Sequence, residues 1–159
     1  MHTDNTKATE THISYMQQCI ALGKKAMEDG DFPVGSVVVK DNTIIGRGSE
    51  AVKSSNDITK HAEILAIKDA LTNISAPYLE NCDLYTTHEP CFMCSYVIRH
   101  YKLRTVIYGT KVDHVGGITS DLKVMLTSKI PNWGKVPAII DNVLGEECNE
   151  LSERYKINN

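Results

Sequence analysis

Two short runs constrain this chain more than any other feature. HAEILAI starts at His61 and EPCFMC at Glu89, and each puts polar, metal-competent side chains at the head of an apolar helix. If the two heads belong to one site, two helix N-termini face each other there. Such a place is rich in free N–H donors and positive potential.

The surrounding pattern supplies a scaffold. Apolar spacing predicts a helix from Thr11 to Asp29, ended by Gly30. VGSVVVK and TIIGRGS flank Asp41-Asn42 and read as a β-hairpin. HAEILAIKDALTNI reads as a helix, with Thr59 as its N-cap and Ile64, Ile67 and Leu71 as its core stripe. DLYTTH is a short strand, CFMCSYVIRHY a helix and TVIYG another strand. A loop follows at 113–121, then a short helix and a loop, IPNWG, within 122–135. VPAII reads as a fifth strand and GEECNELSERY as a final helix. Strands separated by helices need crossovers, so part of the sheet is parallel. The expected architecture is a single α/β domain of three layers over residues 11–159, behind a disordered tail at 1–10.

A chain of 159 residues buries enough surface to need no staples. Its net charge of −3 provides no global basic field for nucleic acid or an anionic membrane. Locally, Arg99, Lys102, Arg104 and Lys111 form a run without acids. The polar start MHTDNTKATETH and the lack of any span-length apolar run predict a cytoplasmic, reduced protein with no membrane partner. Its five cysteines are then expected as ligands or core residues and not as disulfides.

Cys91 and Cys94 are three apart, so on a helix they share a face. They follow Pro90 at a helix start, where the macrodipole favours thiolate, and two thiolates aimed together suit zinc. His61 is the candidate third ligand. Glu63 lies about 200° round a regular helix from it, so the two converge only off the helix tip. Three protein ligands leave zinc an open position, the catalytic pattern, and Glu63 is then placed as acid and base. Two other readings stay open at this point. One is a redox Cys-x-x-Cys; the other is a structural zinc closed by Cys82, His88, His100 or Cys148.

Taken together, His-x-Glu followed by Pro-Cys-x-x-Cys is the zinc deaminase signature. FPVGSVVV, HAEILAI, LYTTHEPCFMC and VIYG resemble the cytidine/deoxycytidylate deaminase superfamily, in the branch of bacterial tRNA adenosine deaminases and guanine deaminases. The resemblance spans roughly residues 11–155. It implies a cytidine-deaminase-like fold with a five-stranded mixed sheet between helices, and a homodimer. It implies one zinc on His61, Cys91 and Cys94, with Glu63 as proton shuttle. The reaction would be hydrolytic, replacing an exocyclic amino group by oxygen and releasing ammonia. Glu89, Pro90 and Cys91 would hold the developing tetrahedral centre, and Ala62 would lie in the same pocket.

Two departures bear on substrate. In these relatives an asparagine eleven residues before the ligand histidine reads the base, and here that position is Glu50. Ionised glutamate only accepts hydrogen bonds, so it suits a base presenting N–H groups. The tRNA enzymes of the branch typically end in a basic helix, whereas GEECNELSERYKINN is acidic. Both features favour a small purine-like base or nucleoside, with tRNA adenosine as the alternative and cytosine further behind. His88 is a candidate to line the pocket or to support a metal ligand, and the single tryptophan, Trp133 in IPNWG, is a candidate lid that stacks on the base or an anchor at the dimer interface. Phe32 and Pro33 are candidate apolar walls.

Overall fold

Alternation in the strands decides the layering. In Val37-Val38-Val39 the first and third residues face one side of a sheet and the second faces the other. The computed structural model describes residues 2–159, with side chains from Thr9 onward. Its elements are α1 (His2–Glu28), β1 (Gly35–Lys40), β2 (Thr43–Ser49), α2 (Val52–Ser55), α3 (Ala62–Asn73), β3 (Asp83–His88), α4 (Phe92–His100), β4 (Thr105–Thr110), β5 (Ala138–Ile140) and α5 (Gly145–Asn158). Two single 3₁₀ turns, Val124–Leu126 and Pro131–Trp133, lie between β4 and β5. The tail expected at 1–10 is helical from His2 onward, and Met1 lies outside the described residues. HTDNTKATET contains neither Pro nor Gly, so nothing local stops the helix.

The five strands lie in the order β2-β1-β3-β4-β5. β1 runs antiparallel to both β2 and β3, while β3, β4 and β5 are parallel. The hairpin turns at Asp41 and Asn42, both at positive φ, as a type I′ turn requires. Val38, Leu84 and Val106 face Ala66, Ile67, Ala70 and Ile98 of α3 and α4. Val37, Val39, Tyr85 and Ile107 face Met16 and Cys19 of α1 and Cys148 of α5. Full burial of each large aliphatic side chain contributes about 1.5–3 kcal/mol. No helix among the described residues is long and apolar enough to cross a membrane, and all five cysteines are free.

The core face of α3 differs from the expected stripe. Ala62, Ala66, Ile67 and Ala70 are buried, while Ile64 and Leu71 are only partly so. The cause is β2. A Cβ on Gly48 would lie 2.2 Å from the Ala62 carbonyl oxygen, and one on Gly46 would lie 2.2 Å from that of Ala66. Glycine on the strand and alanine on the helix let the two backbones meet, and larger side chains rotate to the flanks. Thr59 does not cap α3, because its hydroxyl and N–H both bond Asp57.

α5 is held by a buried polar chain. The Gly35 N–H donates to Thr87 Oγ1 at 3.2 Å, and Thr87 Oγ1 lies 2.8 Å from His88 Nδ1. His88 Nε2 lies 2.6 Å from Ser152 Oγ of α5. Both ring nitrogens of His88 are thus engaged, one by Thr87 of its own strand and one by Ser152 of α5. Burial holds this neutral imidazole down to about 4.

Gly48→Ala is expected to destabilise the protein by about 1–3 kcal/mol through overpacking. Arg47→Ala, on the exposed face of the same strand, is expected to change it by less than about 0.5 kcal/mol; thermal melts compare the two. His88 gives a pH prediction. Its folded value is about 4, against about 6.5 unfolded. The unfolded chain therefore takes the proton first, and the stability is present above pH 6.5 and lost as pH falls through 4. Urea titrations at pH 7 and pH 4 should show a fall of about 3 kcal/mol from this residue, absent in His88→Leu.

Candidate active site

All the candidate chemistry lies at one end of the sheet. β3 and β4 end there at His88 and Thr110, and β2 ends there at Ser49, antiparallel to β1. This is the carboxyl end of the parallel strands, where open α/β sheets place their ligands. Glu50 follows β2, and Phe32 and Pro33 precede β1.

The problem of the helical angle between His61 and Glu63 is resolved by the cap. His61 is the N-cap of α3, with extended backbone (φ −69, ψ 146), so it does not follow the helical wheel. Glu63 lies in the first turn and is buried. α4 repeats the arrangement: Cys91 is its extended N-cap (φ −71, ψ 179), and Cys94 is buried in its first turn. The His61 side chain makes no capping hydrogen bond to α3. His61 Nδ1 instead lies 3.6 Å from Cys91 Sγ and 3.4 Å from Cys94 Sγ.

These separations suit zinc. Tetrahedral ligation with ordinary Zn–S and Zn–N lengths puts sulfur and nitrogen about 3.6 Å apart. The His61, Cys91 and Cys94 ligand atoms all lie within 4.8 Å of one another. Among the described residues, the other such group is Glu50, His61 and Glu63. Among the described residues, no fourth Cys or His joins the ligand trio. Cys82 and Cys148 are buried in the two cores, His88 is bound to Thr87 and Ser152, and His100 is exposed at the end of α4.

The electrostatics also suit a cation. Hydrogen bonds from Cys94 and His61 pull the Cys91 thiol down to about 4. Cys94, beside that thiolate and buried, is pushed up. His61 is raised to about 9, first by its hydrogen bond to Cys91 and then by the charges of Glu50 and Glu63. The site thus draws positive charge towards the place where the three ligands meet. Burial pushes Glu63 up to about 8, with the neighbouring Glu50 adding to it. Its Oε2 accepts from Cys94 Sγ at 3.6 Å and its Oε1 from Thr86 Oγ1 at 3.4 Å.

Glu50 lies inside this cluster. Its Oε1 accepts the Ala62 N–H at 2.9 Å, capping α3 from outside the helix, and burial raises its carboxyl to about 7. Ala62 is fully buried. Phe32 is half-buried, edge-on to His88 and Tyr155 with centroids 5.5 and 5.2 Å away. Pro33 and Pro90 are buried.

Three candidates have other roles. Both ring nitrogens of His88 are used within the fold, so it anchors α5 and keeps no polar atom for a substrate. Trp133 is buried against the Arg99 guanidinium, 5.1 Å from the ring centre, and edge-on to Tyr96, so it is an anchor and not a lid. The Glu89 carboxylate is taken up by the loop after β4. It accepts from the N–H groups of Val112, Ile118 and Thr119 at 3.2, 2.9 and 2.8 Å, and from the Thr119 hydroxyl at 2.7 Å.

That latch draws in a loop which the sequence reading left outside the site. Cys91 bridges to Gly116, the Phe92 N–H donates to the Val115 carbonyl, and the Gly117 N–H donates to that of Pro90. A Cβ on Gly116 would fall 2.2 Å from a Glu89 carboxylate oxygen. The Gly116-Gly117 pair was the available signal.

The basic run of 99–111 does not form one surface. Arg99 is buried and donates to the carbonyls of Met125 and Thr127 at 2.7 Å each. Arg104 is paired with Asp83 at 2.9 Å. Lys102 donates to the Asn132 carbonyl, and Lys102 and Arg104 precede β4, at the far end of the sheet.

Comparisons with known proteins agree with this geometry. The family model for the cytidine and deoxycytidylate deaminase zinc-binding region matches residues 9–110. A tRNA-specific adenosine deaminase of Aquifex aeolicus (strain VF5) is 37% identical over 147 residues, covering 89% of this chain and 92% of that protein. A structure from a study of A-to-I editing by tRNA:A34 deaminases matches with TM-score 0.80 and 28% identity, over 87% of this chain and 98% of that one. Guanine deaminase from Bacillus subtilis matches with TM-score 0.59 and 36% identity, over 62% of this chain and 63% of that one. This chain belongs to the cytidine and deoxycytidylate deaminase family and is a zinc-type deaminase.

Proposed function

We propose that the protein hydrolyses adenosine to inosine in tRNA, at the first anticodon position. The observation that carries this is the near full-length likeness to a tRNA-specific adenosine deaminase at 37% identity, on a chain whose His61, Glu63, Cys91 and Cys94 converge. The small purine-like base expected from the sequence becomes the second reading. The acidic C-terminus is the weaker argument, set against a likeness that covers 89% of this chain.

His61, Cys91 and Cys94 would hold the zinc. When bound, it supplies Lewis acidity that brings the pKa of water towards neutrality. The rest falls to side chains. Glu63 is buried, with its carboxyl against Cys94 Sγ at the place where the three ligands meet. It takes one proton from the water as the oxygen adds to the carbon bearing the amino group, and gives that proton to the ring nitrogen. It then takes the proton of the new hydroxyl and passes it to the amino nitrogen, which departs as ammonia as the carbonyl forms and leaves Glu63 as it began. Proton transfers of this kind contribute about 10²–10⁴-fold to rate. Phe32 would form an apolar wall, and Glu50, fixed through Oε1 on Ala62, would offer Oε2 to the base. The homodimer implied by the resemblance belongs to the same proposal.

One observation keeps the second reading, a guanine-like free base. Adenine presents bare ring nitrogens, whereas guanine presents ring and exocyclic N–H groups to an acceptor such as Glu50.

Zinc-loaded protein incubated with an unmodified tRNA transcript is expected to yield inosine, read as A-to-G changes in cDNA. Ammonia from guanine with no inosine in tRNA would replace the first reading by the second. Glu63→Gln is expected to lower kcat by about 10²–10⁴-fold while zinc content, measured by emission spectrometry, stays at the wild-type level. Full activity in that variant would remove the assigned proton carrier.

A further inference from the structure

On the face of the sheet that packs against α3 and α4, β1 and β3 pair Val38 with Leu84. One step nearer the site, the same ladder pairs Ser36 with Thr86. Both hydroxyl side chains are fully buried. Ser36 Oγ donates to Thr86 Oγ1 at 2.8 Å, and Thr86 Oγ1 donates to Glu63 Oε1 at 3.4 Å. Replacing a buried hydrogen-bonded pair by apolar groups of the same shape is typically close to neutral, so packing does not call for hydroxyls here. The group on which the chain ends does.

We propose that Ser36 and Thr86 are positioning residues for Glu63. Their hydroxyl chain holds Oε1 and turns Oε2 towards Cys94 and the metal centre. The direction of the chain follows from its links. Thr86 Oγ1 accepts from Ser36, so its own hydrogen is aimed at Glu63, and Ser36 thereby sets the rotation of the Thr86 hydroxyl. Oε1 accepts from Thr86 and Oε2 accepts from Cys94 Sγ at 3.6 Å, so each carboxyl oxygen has its own partner and the plane of the group is fixed. A carboxyl free to rotate would present either oxygen and spend part of its time misaligned. The inference rests on the role of Glu63 proposed above.

Thr86→Val keeps the shape and removes the donor. With zinc-loaded protein and the tRNA transcript, kcat is expected to fall about tenfold, with KM and zinc content unchanged. Thr86→Ser is expected to restore kcat to within about threefold of wild type, and Ser36→Ala to give a smaller loss in kcat alone. A second readout needs no turnover. Thr86→Val should lower the melting midpoint of the zinc-loaded protein when Glu63 is present. It should leave the midpoint unchanged or raise it in a Glu63→Leu background, where the hydroxyl has lost its acceptor. Unchanged kcat in Thr86→Val, a rise in KM alone, or equal melting shifts in the two backgrounds overturns the relay. Wild-type protein that forms neither inosine nor ammonia overturns the functional reading instead, and the melting comparison then decides the relay alone. If Thr86→Val does not fold, Ser36→Ala and its melting shift in the two backgrounds decide it.

Discussion

The backbone contact between β2 and α3 is the constraint from which the site follows. Gly46 and Gly48 carry no side chain, and Ala62, Ala66 and Ala70 carry only a methyl, so strand and helix meet at van der Waals distance. That fixes the start of α3, and hence where His61 and Glu63 stand relative to the strand next but one, β3. β3 in turn delivers Pro90 and the start of α4. The two helices are held at a common end of the sheet by contacts that leave little freedom to slide, and a donor set with zinc-like spacing needs that rigidity.

The electrostatics would be unfavourable without an ion. Glu50, Glu63, Cys91 and Cys94 surround one imidazole in a mostly buried place. Hydrogen bonds from Cys94 and His61 pull Cys91 down, its thiolate pushes Cys94 up, and burial pushes Glu50 and Glu63 up. A divalent cation answers this cluster directly, since two thiolates and a neutral imidazole cancel its charge and leave the carboxyls to their own tasks. The hydroxyls of Ser36 and Thr86 belong to the same logic, because they hold a buried carboxyl by donors and add no charge.

Much of this was legible in the sequence. His-x-Glu and Pro-Cys-x-x-Cys carry their chemistry in residue type and spacing, and the period-2 and period-3.6 runs placed the strands and helices. What escaped was set by tertiary contact. An Ile-Leu stripe looks like the core of α3 until the glycines of β2 select the alanines. His88 and Trp133 look like pocket residues until Ser152 and Arg99, 64 and 34 positions away in sequence, claim them. The charges at 99–111 look like a surface until Arg99 turns inward to carbonyl groups. Glu50 was located by its offset from His61, yet its bond to Ala62 depends on how the intervening loop folds back.

The Glu89 latch separates what holds the 111–121 loop from what the loop displays. Three of its four donors are backbone N–H groups, which every residue but proline provides. Asp113, His114 and Val115 meanwhile stand exposed beside Cys91. Their side chains can change without disturbing the latch, so the backbone beside Cys91 keeps its place whatever those three positions carry.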